Sequence, residues 1–97
     1  MLFEERKLMN WSTNRIFRTI LDSPNTYPKD YTYMILGQVG PTGKTWLTNE
    51  LIHHGYKAFD MAESLYDLLD YPNDTDNLCV VNHHQKFVTI ILNRRIA

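Results

Sequence analysis

The chain has 97 residues, 43% of them hydrophobic and 22% charged, with a formal net charge of −1 and one cysteine. Such a balance fits a single globular domain and leaves no room for a second core. It offers no overall positive field to draw nucleic acid or anionic lipid, no internal disulfide partner for Cys79, and no apolar run near the roughly 20 residues of a membrane span.

The first segment, Leu2 to Leu21, reads as a helix: Leu2, Met9 and Ile16 recur at seven-residue steps, and Phe17, Ile20 and Leu21 widen that stripe. Glu4, Glu5, Arg6 and Lys7 fall on its solvated side. Alternatively, Ser12 caps a shorter second helix after a break near Asn10. "DSPNTYPKD" ends the segment, because two prolines and an Asn cannot continue a helix. "YTYMILG", Tyr31 to Gly37, is β-branched, aromatic and apolar, the pattern of a strand covered on both faces. "KTWLTNELIHHGY" is helical, with Trp46, Leu47, Leu51 and His54 on one face and Gly55 just past the C-cap. "KAFDM" is a short strand or coil. "AESLYDLLDY" is a helix with Leu65, Leu68 and Leu69 at i, i+3, i+4, and "PNDTDN" a loop. "LCVV" and "FVTIIL" are strands joined by "NHHQK" into a hairpin.

The expected fold class is α/β, with α+β as the alternative. It comprises an N-terminal helical segment over residues 1–22 and an α/β core over 31–97. The core runs strand, turn, helix, second helix and C-terminal β-hairpin.

Between the first strand and its helix stands "GQVGPTGKTW". Holding a phosphate there needs main-chain N–H groups that converge, glycines where a side chain would interfere, a Lys for the outer phosphates and a hydroxyl for a metal ion. The positive end of the following helix adds to such a pocket. Gly40, Gly43, Lys44 and Thr45 stand in that order, with Thr42 between them. This segment resembles the Walker A loop of P-loop nucleotide-binding proteins. The longer stretch "GQVGPTGKTWLTNELIHHGYKAFDMAESL" is similar to the opening of small-molecule and nucleotide kinases. The resemblance implies ATP or GTP with magnesium as ligand. It also implies that Asp60, in the place of an acidic residue at a strand end, contacts the metal or the ribose, provided "KAFDM" is a strand.

Departures from the family pattern argue against efficient turnover. Gln38 stands where the first Gly belongs, and Pro41 removes an amide donor. The later strands end in Asn82 and Asn93, where an acidic residue would organise magnesium. Fewer strands follow Tyr31 than a complete P-loop domain uses. The expectation is binding without catalysis, and no catalytic residue is assigned.

Other constellations read more plainly. His53-His54 and His83-His84 are adjacent pairs whose side chains diverge, so neither pair can face one ion; one His from each pair could still converge with Cys79, but the ligand spacing of a zinc module is missing and no metal ligand is assigned. Cys79 lies in an apolar strand, the setting of a buried, inert thiol. Tyr27, Tyr31 and Tyr33 could form a recognition surface, while Tyr33 and Phe59 read as core. Glu63, Asp67, Asp70, Asp74 and Asp76 line one segment that is either a solvated face or a negative strip for a basic partner. Residue usage rich in Asn, Tyr and Ile and poor in Ala and Gly is that of AT-rich genomes, many phages among them. From these features comes the competing expectation, a small phage-type inhibitor that binds a host or defence protein through an acidic or aromatic surface. The thin core and the hairpin edge favour a homo-oligomer. The N-terminal charges do not read as a signal peptide, so the expected location is cytoplasmic.

Overall fold

A computed structural model describes residues 3–8, 10–37, 42–61 and 77–92. The described elements run β1 (Phe3–Lys7), α1 (Thr13–Asp22), β2 (Thr32–Leu36), α2 (Lys44–His53), β3 (Lys57–Met61), β4 (Leu78–Asn82) and β5 (Phe87–Ile91). The five strands form one mixed sheet in the order β1-β4-β5-β2-β3. β2 pairs in parallel with both β3 and β5, and β4 pairs antiparallel with both β5 and β1. Among the described residues, two helices on a five-stranded mixed sheet make this an α/β-type domain.

The first segment departs from its expectation. Residues 3–7 are not helical but form β1, at the sheet edge. All five of its side chains are exposed, so the strand is held by main-chain pairing with β4. The helix starts only after Asn10 turns the chain through a left-handed conformation (φ 63°). Ser12 then caps it, its hydroxyl accepting from the Arg15 amide at 3.2 Å. The break near Asn10 and the Ser12 cap are therefore as that alternative has them, but what precedes the break is a strand and not a first helix.

Both helices lie on one face of the sheet. β1 and β2 point the same way and α1 connects them; β2 and β3 do likewise through α2. Two crossovers of one hand moving in one direction across a sheet put their helices on the same side. Ile16, Phe17 and Ile20 of α1 and Leu47 and Leu51 of α2 pack there with Tyr33, Ile35, Cys79, Val81, Val88 and Ile90. Tyr27, Tyr31 and Tyr33 are all buried in this layer, which excludes the tyrosine recognition surface. The Tyr33 hydroxyl donates to the Pro28 carbonyl at 2.8 Å, which satisfies a polar group that burial would otherwise strand. On the opposite face Leu36, Leu78, Val80 and Ile91 form a second apolar cluster with Met34 and Met61.

Helix α2 ends as the sequence indicates. His54 is the C-cap and Gly55 follows in the left-handed conformation (φ 88°). The β4–β5 hairpin also forms, through turn residues 83–86. Its outer edges are occupied, however, by β1 on one side and β2 on the other, so pairing between copies through the hairpin is ruled out. The outer strands of the sheet are β1 and β3. β3 exists as a strand, yet Phe59 on it is 40% exposed and not core. Alternation explains this: Ala58 packs towards the helices, so Phe59 points the other way from an edge strand. The expected helix over 62–71, the loop after it and the acidic residues Glu63, Asp67, Asp70, Asp74 and Asp76 lie outside the described residues. Among the described residues, no helix is long and apolar enough to cross a membrane.

Candidate anion-binding site

The parallel strands β2 and β3 end at the same edge of the sheet where α2 begins, with Leu36 beside Met61 in register. In α/β folds that edge, outside the carboxyl ends of the strands, is where ligands bind. Gly37 follows β2. A side chain there would meet the Thr42 hydroxyl at 3.1 Å and the Lys44 stem at 3.5 Å, so the far side of the loop folds back over Gly37. Gln38, Val39, Gly40 and Pro41 lie outside the described residues.

Gly43 is the N-cap of α2 and adopts the left-handed conformation (φ 82°). As a glycine, the N-cap residue brings no side-chain acceptor to the first turn of this helix. The first turn of any helix leaves its N–H groups without intrahelical acceptors, and the macrodipole makes that end positive. A left-handed glycine just before the first turn is the geometry that turns successive amides towards one point. The start of α1 abuts the same place: a Cβ on Gly43 would come within 2.7 Å of the Thr13 methyl. Two helix N-termini therefore meet at this edge of the sheet.

Three side chains converge beside them. The Thr45 hydroxyl donates to Asp60 Oδ2 at 3.3 Å, and Lys44 Nζ stands 3.6 Å from the same oxygen. The Lys44 side chain is largely covered, at 15% exposure, and Asp60 is more open, at 35%. A pair this accessible contributes only about 0–1 kcal/mol to folding. Asp60 reaches the helix because β3 is a strand in register with β2: Asp60 lies opposite Ile35 and shares its face. Of the sequence-assigned residues, the structure thus brings together Gly43, Lys44, Thr45 and Asp60. It sets Thr42 against Gly37, and Gly40 is outside the described set.

Asp60 Oδ2 and Thr45 Oγ1 are hard oxygen donors, the chemistry a magnesium ion takes from a protein when phosphates complete its shell. Magnesium commonly uses a single carboxylate in such sites, so the donor set fits. Among the described residues, no group of three or more His, Cys, Asp and Glu is placed to share a metal ion. Two of the histidines are engaged elsewhere. His54 Nδ1 donates to the Glu50 carbonyl at 2.9 Å and its ring meets Phe17 edge-on. His83 Nδ1 is hydrogen-bonded to the Tyr31 hydroxyl at 2.9 Å, at the opposite end of the sheet. Cys79 is fully buried, and burial pushes its thiol pKa up to about 12. It is an inert side chain of the core.

Nothing in the local pattern of residues 1–22 places Thr13 at this site. Reading residues 1–22 as one separate helix hid the approach of α1 to Gly43, and only the Ser12 cap marks where that helix begins.

Comparison with known proteins adds nothing to this geometry: no family model, curated protein or solved structure matches the chain.

Proposed function

We propose that this chain binds the phosphate groups of a nucleotide, ATP or GTP with magnesium, and acts by binding without efficient turnover. The observation that carries the reading is the meeting of Lys44 and Thr45 on Asp60 at the glycine-led start of α2. Amides of the Gly43–Thr45 turn would donate to phosphate oxygens, Lys44 would supply a mobile positive charge, and Thr45 with Asp60 would hold magnesium. Bound there, magnesium would neutralise phosphate charge. Turnover asks for one group more, a residue that orients or deprotonates the acceptor. Among the described residues Asp60 is the only carboxylate that meets Lys44 and Thr45.

The test is calorimetric titration with ATP and with GTP, with and without magnesium, on the wild type and Lys44→Ala. Charge-assisted hydrogen bonds contribute about 1.5–3 kcal/mol, so Lys44→Ala should weaken binding by about 10- to 100-fold. Equal affinity in the two proteins removes the assignment.

A second reading, a protein that acts on a macromolecular partner, draws on the large apolar side chains left exposed: Phe3, Trp46, Ile52 and Phe59. Its mark is a stoichiometric partner captured equally with and without nucleotide and lost on Phe59→Ser. Capture by the Phe59→Ser variant at wild-type level counts against it.

A further inference from the structure

Asp60 occupies the cation that an incoming phosphate needs. One carboxylate oxygen receives the Thr45 hydroxyl and faces the Lys44 ammonium. The positive charge of Lys44 is thus offset by an acid of the same chain, and that acid's charge opposes an approaching anion. Both contacts are long. At 3.3 Å the hydroxyl bond exceeds the usual O–H···O range, and at 3.6 Å the ammonium is beyond hydrogen-bond distance. Such contacts exchange readily. The exposures are also unequal: the carboxylate is the more open member, so a cation from solvent meets Asp60 before an anion meets Lys44.

We propose that Asp60 is a latch on the phosphate site. In the free protein it holds Lys44, and it releases Lys44 when its carboxylate engages a divalent cation. The inference rests on the phosphate-binding reading above and adds an order to it. Anion affinity is conditional on the metal because the chain carries its own competing anion. The ligand class is accordingly a polyphosphate bound together with a hard divalent cation, and a polyphosphate alone binds poorly. Asp60→Asn then has opposite effects in the two conditions. It removes the internal competitor and it also removes the carboxylate a cation would use. Since an accessible ion pair is weak and like-charge repulsion near the surface is partly screened, the gain without metal is modest, about fivefold.

The experiment titrates inorganic tripolyphosphate into wild type, Asp60→Asn and Lys44→Ala, in EDTA and again in magnesium chloride. The wild type should bind weakly in EDTA and at least about tenfold more tightly with magnesium. Asp60→Asn should bind about fivefold more tightly than wild type in EDTA and lose most of the magnesium gain. Lys44→Ala should be weak in both. If Asp60→Asn in EDTA binds no better than wild type while Lys44→Ala still loses affinity, the latch is wrong and the phosphate site stands. If Lys44→Ala binds as wild type does in both conditions, or nothing binds, the phosphate reading fails and the latch with it.

Discussion

Gly43 meets two demands at one position. Its φ of 82° lies where a side chain costs about 1–2 kcal/mol, and the space a Cβ would need is held by Thr13. Gly55 meets only the first: its φ is 88°, but the nearest neighbour to a Cβ is the Lys29 ammonium at 3.7 Å, an ordinary contact. Gly55→Ala should therefore cost about 1–2 kcal/mol in urea denaturation. Gly43→Ala should cost at least about 1 kcal/mol more, with part returned by Thr13→Ser, which deletes the blocking methyl. Equal losses at the two glycines would contradict the close approach of α1. Lys44, Thr45 and Gly43 were legible as a trio because their order is itself the chemical signal. Asp60 was legible only on the condition that "KAFDM" is a strand. Phe59, one residue before it, was misread: composition marks an aromatic residue as core, and only the edge position of β3 shows which way it points.

Among the elements, legibility followed buried side chains. β2, β4 and β5 bury apolar residues on both faces, and a left-handed glycine follows the C-cap of α2, so each left a pattern in the sequence. β1 left none. Phe3-Glu4-Glu5-Arg6-Lys7 buries no side chain, and its conformation is set by main-chain bonds to β4, a partner distant in sequence. Local periodicity cannot report a strand of that kind. It also made the helix look twice its length, although Ser12 marked the true start. At that start Ser12→Ala should cost about 1 kcal/mol in urea denaturation, since it leaves the Arg15 amide without its acceptor. An unchanged midpoint would mean that the helix begins elsewhere. The charges along β1 suit an outer strand, because they discourage pairing with stray chains. Glu4 is the best tethered of them. Arg6, 2.6 Å away, and then His83, at 3.7 Å, hold its carboxyl pKa below the usual range.

For the molecule as a whole, the topology gathers the start of both described helices and the ends of the parallel strands at one edge, while Tyr27, Tyr31, Tyr33, Tyr56 and Cys79 fill the layer beneath. That layer has a consequence for pH. Burial raises the pKa values of Tyr27, Tyr33 and Cys79, so each is held in its neutral form when folded. A raised folded value contributes stability that is complete below the unfolded pKa and declines as pH rises above it. For the thiol, the window opens near its ordinary value of 9.0 and extends to about 12. Urea midpoints should therefore be level from pH 7 to about 8.5 and fall progressively above pH 9. Cys79 should stay unmodified by iodoacetamide at pH 8.5 until the protein is unfolded. A midpoint that holds level to pH 11 would contradict this packing. The phosphate site is a different matter, since it was proposed from four residues and their convergence alone. Its most direct measurement is a two-dimensional amide NMR titration with ATP and magnesium. The largest shifts should fall on Gly43, Lys44, Thr45 and Asp60, and they should vanish in Lys44→Ala. Shifts that cluster around Tyr31 and His83 at the far end of the sheet, or no shifts at saturating nucleotide, would contradict a phosphate site at the start of α2.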